Sequence, residues 1–232
     1  MSKISNMLNM IQILKDKKVH SIQSLSEELE VSERKEKRKM QEVIFVTHNK
    51  GKIASAKKQL KDVDFKIFEY ELEEPRSDDI KYISKYKVME AYKVVNKPCI
   101  SLDCGFWIDE LNGFPRAFVN FSLETIGIEG ILKLMEGKEN RKCRFTECLS
   151  YYDGKEIHQF MGKHEGTLSK EILGIDTDKK WSDLWYIYIP YGYDKTLAQM
   201  TDEERADREA NRAKYNSIGS MNEFAKWYKE RY

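Results

Sequence analysis

Apolar and polar positions follow one rhythm before residue 41 and another after it. In the first part, Ile4, Leu8, Ile11 and Leu14 recur at three- and four-residue spacing and predict a short amphipathic helix. Ser21 is placed to cap a second helix carrying Leu25 and Leu29, and Ser32 a third, Glu33 to Met40, dense in Arg and Lys. In the second part, Val43-Ile44-Phe45-Val46 is an apolar run of the kind buried in a sheet. The polar turn Thr47-His48-Asn49-Lys50-Gly51-Lys52 follows, then a helical stretch with Ile53, Ala56 and Leu60. Asp78 to Val95 reads as a helix whose stripe includes Ile80, Ile83, Ala91 and Val94. Cys99 to Leu102 reads as a strand that ends in Asp103 and a turn at Gly105. Beyond Phe121 the pattern predicts a helix over Leu123 to Met135 and strands over Arg144 to Tyr152 and Ile157 to Met161. A polar loop, Gly174 to Ser182, runs into the aromatic stretch Trp181 to Pro190, and the chain ends in a helix with Phe224, Trp227 and Tyr228 on one face.

Composition narrows the classes. The 232 residues predict one or two domains, and 41% hydrophobic with 12% aromatic content is enough for a packed core. Forty basic against thirty-nine acidic side chains leave a net charge of +1, so no global field draws the chain to nucleic acid or membrane. No apolar run approaches the ~20 residues that span a bilayer, and MSKISNMLNM lacks the apolar core of a signal peptide. Cys99, Cys104, Cys143 and Cys148 show no CxxC spacing, which argues against a zinc knuckle or a redox pair. The expectation is a cytoplasmic protein with reduced thiols.

Candidate chemistry gathers in the second part. A strand, a polar Gly-containing turn and a helix start form an anion site, because free backbone N–H groups and the helix dipole face the turn. Lys52 adds a point charge there. Lys87 sits on the apolar stripe of its helix, four residues from Ile83 and from Ala91. Either its stem packs while the amine snorkels to water, or the ammonium is aimed into a polar cleft; periodicity leaves both open. Asp103 ends a buried strand, where open α/β sheets often place chemistry. Glu73, Glu74, Asp78 and Asp79 supply further carboxylates. Two carboxylates, a lysine and a phosphate loop suit Mg²⁺-assisted phosphoryl chemistry, while each residue taken singly also reads as an ordinary surface group.

The N-terminal segment resembles the helix-turn-helix start of DeoR-type regulators through Leu25, Leu29, Val31 and Ser32. Glu36 stands where that family has an apolar residue, and the wing is missing. A docking or oligomerisation arm and a solvated charged helix therefore stand beside DNA binding as readings, and the near-zero net charge counts against DNA.

From Val43 to Trp227 the chain resembles the inosine triphosphate pyrophosphatase family. The blocks that carry the likeness are FVTHNKGK, ISLDCGFWIDELNGFP, FSLETIGIEGIL and PYGYDKTLAQMTDEER. The resemblance implies a two-lobed α/β fold, a mixed sheet with a central cleft over residues 42–232, after a helical arm over 1–41. It also implies a homodimer that hydrolyses ITP, dITP and XTP to monophosphate and pyrophosphate with Mg²⁺. On the same basis Thr47, Asn49 and Lys52 hold the triphosphate, and Glu74 and Asp103 bind metal. Lys87 faces the phosphates and Asp103 orients water, which makes these two the expected catalytic residues.

Departures cluster at the base end. Leu102 replaces an acidic residue, and Arg116 replaces a glycine after Pro115. The family's Gly-aromatic-Asp-Pro element is replaced within Asp183-Leu184-Trp185-Tyr186. Its Ser-His-Arg becomes Glu209-Ala210-Asn211 without a gap, or Ala210-Asn211-Arg212 with a one-residue insertion, which keeps Arg212 as a donor to a keto oxygen. The base-binding expectation therefore rests on Trp185, Asn211 and Arg212, with Trp181 and Tyr186 as further stacking aromatics. Two functions follow as expectations. One is a pyrophosphatase; the alternative is a catalytically weak dITP/ITP sensor that signals through the arm to an effector protein, for example in antiviral defence.

Overall fold

The computed structural model describes residues 41–176 and 180–232, so the predicted arm lies outside the described residues apart from Gln41. Residues Gln41–Glu230 form one compact unit around a mixed sheet of eight strands. These are β1 (Val43–Val46), β2 (Phe65–Phe68), β3 (Cys99–Ile108), β4 (Pro115–Arg116), β5 (Lys142–Tyr152), β6 (Ile157–Leu168), β7 (Tyr188–Pro190) and β8 (Ser217–Ile218). Their order is β2-β1-β3-β5-β6-β7, with β4 beside β3 and β8 beside β6. β1 is parallel to β2 and β3, and the other pairings are antiparallel. All four residues of β1 are buried, as its unbroken apolar run requires of a strand covered on both faces.

Six α-helices cover this sheet among the described residues: α1 (Lys50–Gln59), α2 (Ile80–Val95), α3 (Val119–Thr125), α4 (Gly127–Leu134), α5 (Asp202–Ala210) and α6 (Ser220–Arg231). On one face α2 is fixed by Ser84, whose hydroxyl donates to the Cys148 carbonyl (2.8 Å), and by Ser101, which donates to the Ser84 carbonyl (2.9 Å). On the other face α6 sets Phe224 and Tyr228 against Tyr151 of β5. Apolar clusters on the sheet include two drawn from the described residues alone. Ile44, Val46, Leu72, Val88, Ala91 and Cys99 fill one lobe; Phe106, Ile131, Phe145, Leu184 and Tyr188 are among those that fill the other.

Several elements differ from the periodicity. The helix expected over Leu123 to Met135 is two helices, broken where Gly127 takes a φ of +66°. β6 continues past Met161 to Leu168, because Gly162 and Gly166 sit where a side chain has no room and so hide the alternation. The aromatic stretch holds a single 3₁₀ turn, Asp183–Tyr186, capped by Ser182, before β7. α5 begins with a capping box of Thr201 and Glu204. No described helix is long and apolar enough to cross a membrane.

Candidate active site

The opening between the lobes follows from strand register. β3 pairs with β1 at Cys99 and Ile100 and with β4 at Phe106 and Trp107. Between those contacts its β1-side edge is left without a strand, and the Leu102 carbonyl there accepts a hydrogen bond from the Lys52 ammonium (2.7 Å). Lys52 belongs to the first turn of α1, and the turn that leads into this helix is locally ordered. Thr47 accepts from the Asn49 N–H (3.2 Å), and Asn49 caps α1 by accepting from the Lys52 N–H (3.0 Å). No acidic residue occupies the first turn of α1, so its positive end faces the cleft without a competing anion. Gly51 is required by close packing: a Cβ there would lie 2.9 Å from the Cβ of Trp181.

Four side chains meet at the cleft floor. Asp103, 5% exposed, lies 3.4 Å from the Lys87 ammonium and 4.0 Å from that of Lys52. Lys87 also donates to Glu74, which comes from the loop between β2 and α2. Asp79 caps α2, accepting from the Lys81 N–H (2.8 Å), and so fixes the start of the helix that carries Lys87. Of the two readings open for Lys87, the structure shows the polar one: the residue is 8% exposed and its amine is turned to carboxylates.

Electrostatics divide the roles. Burial is the largest influence on Lys87 and works against its charge, but Asp103 and Glu74 outweigh it and raise its pKa. Burial likewise opposes ionisation of Glu74, and Lys87, Lys52 and His48 overcome it, so Glu74 stays a carboxylate well into acid. At Asp103 burial prevails over Lys52 and Lys87, and the pKa is raised.

Val46, Thr47, His48, Asn49, Lys52, Tyr70, Leu72, Glu74, Lys87, Leu102 and Asn120 line the cleft. Five of the residues expected from sequence are therefore in one wall set, with Asp103 directly beneath through Lys87. Asn120, at the start of α3, was not legible from any motif, since only tertiary folding brings it here. A larger, open cleft of about 570 Å³ has Trp107, Arg116 and Arg144 in its wall. Its arginines are already paired, Arg116 with Asp78 and Arg144 with Asp109 (2.7 Å), which leaves no free charge to engage an anion.

The residues expected at the base end lie elsewhere. Trp185 is 5% exposed and packed in the apolar core, with the Arg205 guanidinium 5.6 Å from its ring centre. Asn211 ends α5 and donates to Asp207 (2.7 Å). Arg212 pairs with Glu209 and donates to the Ser217 hydroxyl (3.4 Å). Trp181, by contrast, is 51% exposed; its ring stands edge-on to Phe145 at 5.2 Å and its Cβ faces Gly51.

A mixed α/β sheet whose open strand edge gathers two lysines, two carboxylates and a helix start defines a class of protein built to hold a polyanion between two lobes. Comparison with known proteins is consistent with that class. The Ham1 family model matches residues 43–214, and the chain belongs to this family, the inosine triphosphate pyrophosphatases its motifs resemble. It is 32% identical over 193 residues to a dITP/XTP pyrophosphatase of Thermococcus kodakarensis, covering 80% of this chain and 96% of that one. A dITP/XTP pyrophosphatase of Saccharolobus solfataricus is 34% identical over 191 residues, covering 80% and 94%. Among solved structures, the Staphylococcus aureus Ham1 protein has a similar fold, with a TM-score of 0.66 at 21% identity over 83% of this chain and all of that one. A HAM1 protein from Coxiella burnetii gives 0.68 at 17% identity over 82% and 100%.

Proposed function

We propose that the protein hydrolyses non-canonical purine nucleoside triphosphates, ITP, dITP and XTP, to the monophosphate and pyrophosphate. The observation that carries this is the meeting of Lys52, Lys87, Glu74 and Asp103 at one open strand edge beside the Thr47–Lys52 turn. Relatives of nearly the same length named dITP/XTP pyrophosphatase support the substrate class. Thr47, Asn49 and Lys52 hold the phosphates. Water attacks the α-phosphorus, the bond to the bridging oxygen breaks, and pyrophosphate leaves. Lys52 and Lys87 offset the charge that builds on the phosphate oxygens, a stabilisation that is strongest in a partly desolvated cleft. Asp103 orients the water and receives its proton.

The donor set also fits Mg²⁺. Among the described residues no group of three or more His, Cys, Asp or Glu could hold a metal ion, but Mg²⁺ is usually bound by one or two carboxylates together with substrate phosphates. Glu74 and Asp103 would be those carboxylates. When bound, the ion supplies charge neutralisation and a more acidic water.

A specific observation favours a second reading. Trp185 is packed in the core, and Asn211 and Arg212 are engaged by Asp207, Glu209 and Ser217, so the residues expected at the base are held by the protein itself, and a small misplacement near a reacting centre costs about 10²-fold in rate. The sensor reading follows: dITP or ITP binds, turnover is slow, and a homodimer or an effector protein engaged through residues 1–41 receives the signal. Phosphorus NMR of ITP incubated with the protein and Mg²⁺ separates the two. Appearance of IMP and pyrophosphate supports the enzyme; retention of bound, intact ITP supports the sensor; IDP and inorganic phosphate would refute both.

A further inference from the structure

One charged side chain occupies an apolar phase of the sheet. On β5 the alternation sends Phe145, Glu147, Leu149 and Tyr151 to the same face, and all but Glu147 are apolar and buried. The Glu147 carboxylate is held from two directions. His164 Nε2 lies 3.2 Å from Oε1, while Oε2 accepts from the Ser220 hydroxyl (2.9 Å) and the Ser220 N–H (3.3 Å). Behind His164, Nδ1 meets the Ser217 hydroxyl at 2.6 Å, and Arg212 donates to that same hydroxyl. Across the strand, Gly162 leaves room: a Cβ there would lie 2.7 Å from Oε2 and 2.8 Å from the Ser220 nitrogen. Taking a charge out of water costs several kcal/mol, so an arrangement this extensive around one carboxylate asks for a reason beyond packing.

Its position supplies one. The β3–β5 register sets Cys104 opposite Glu147, and Cys104 directly follows Asp103. Strand geometry then puts the Cα atoms of Asp103 and Glu147 on the order of 6–7 Å apart, with Asp103 on the α2 face beside Lys87 and Glu147 on the α6 face beside Ser220. The Cys104 thiol feels the charges of both Lys52 and Glu147, although burial dominates and pushes it up. Trp181 links the Gly51 turn to Phe145, two residues from Glu147 on the same face. A nucleotide anchored by its phosphates at Lys52 has this surface within reach of its base.

The carboxylate also has capacity to spare. Two carboxylate oxygens offer about four acceptor sites, and His164 with the two Ser220 donors fills three. The side chain keeps 23% exposure. We propose that Glu147 is a specificity-determining residue, the acceptor that reads the N1–H of a keto purine held at the triphosphate cleft. Hypoxanthine and xanthine present that N–H, as does guanine. Adenine presents a lone pair at N1, which a carboxylate repels. This rests on the proposed function and names how that site chooses its base.

The test uses the α,β-methylene analogues of ITP and ATP, which resist cleavage, and inorganic tripolyphosphate as a base-free probe, each titrated calorimetrically with Mg²⁺. The wild type should bind the ITP analogue about 10- to 100-fold tighter than the ATP analogue, the range of one hydrogen bond to a charged group. Glu147→Gln, whose amide offers adenine N1 a donor, should bring that ratio within threefold and leave tripolyphosphate affinity unchanged. Should this variant lose tripolyphosphate binding, Glu147→Asp decides in the same titrations: it keeps the charge, withdraws it by one methylene and should also collapse the ratio. An unchanged ratio in a variant that still binds tripolyphosphate would overturn the inference. So would a wild type that binds tripolyphosphate as tightly as the ITP analogue. A wild type that binds none of the three would instead overturn the proposed function beneath it.

Discussion

Replacing Lys87 by methionine removes one charge and keeps most of the packed stem. Lys87 is 8% exposed, with its ammonium 3.4 Å from Asp103 and bonded to Glu74. At an effective dielectric constant of 20, a 3.4 Å pair is worth about 5 kcal/mol before desolvation. Removing one partner of a buried pair costs about 3–5 kcal/mol, because the remaining charge is left buried and unpaired. Lys52 still faces Asp103 at 4.0 Å, so the lower end, about 3 kcal/mol at pH 7, is expected. The pH dependence has a definite sign. Asp103 already has a raised folded pKa, chiefly from burial, and losing Lys87 raises it further. A carboxyl whose folded value lies above its unfolded value, 3.8 here, favours the native state as it takes up a proton. The variant should therefore recover part of the loss as pH falls through the folded value. Added Mg²⁺ should also stabilise the variant more than the wild type, since Glu74 and Asp103 then lack the Lys87 ammonium between them. Urea unfolding followed by tryptophan fluorescence, with EDTA and with excess Mg²⁺, measures both effects. A loss under about 1 kcal/mol, typical of an exposed pair, or an equal Mg²⁺ response in both proteins, would refute the reasoning.

Other perturbations follow from single contacts. Burial opposes ionisation of Glu147, but His164 and Ser220 hold its pKa down at about 2. Its contribution should be complete above about 4.5 and be lost as pH falls toward about 2, up to roughly 3 kcal/mol; the pH–stability curve of Glu147→Gln should lack that step. Gly51→Ala puts a Cβ 2.9 Å from that of Trp181 and should weaken triphosphate binding at least about 10-fold, by the cost of displacing a positioned loop, in a fluorescence titration that also reports Trp181 moving. Arg116 adopts a φ of +56° and pairs with Asp78 on the surface. Arg116→Gly should relieve about 1–2 kcal/mol of strain and lose about 0–1 from the exposed pair, so its melting temperature should hold or rise; a clear fall would show the pair to be worth more than its exposure suggests.

Much of this was legible in the residues. The apolar run at Val43, the helix start after the polar turn and the stripe of α2 are local signals, and the structure forms each where the pattern points, although Val94 of that stripe is exposed. Thr47, Asn49, Lys52, Glu74 and Lys87, which the sequence singles out as candidates, line one cleft. What was not legible depends on contacts distant in sequence. Trp185 reads as a stacking aromatic, yet the 3₁₀ turn Asp183–Tyr186 rotates it into the core. Arg212 reads as a base donor; in the fold it pairs with Glu209 and donates to Ser217, contacts that no local pattern announces. Glu147 did leave a trace, a carboxylate in the apolar phase of a strand, although its partners His164 and Ser220 are 17 and 73 residues away (164 − 147; 220 − 147).

The central claim is that this cleft cleaves the bond between the α- and β-phosphates of a keto-purine triphosphate. Pyrophosphate release measured for dITP, ITP, XTP, dATP and dGTP, with and without Mg²⁺, in the wild type and in Asp103→Asn, tests it most directly. The account predicts Mg²⁺-dependent release from dITP, ITP and XTP and at least about a 10²-fold loss in Asp103→Asn, the scale of losing a group that positions the reacting atoms. Turnover that survives in Asp103→Asn, or release from dATP as fast as from dITP, would contradict it.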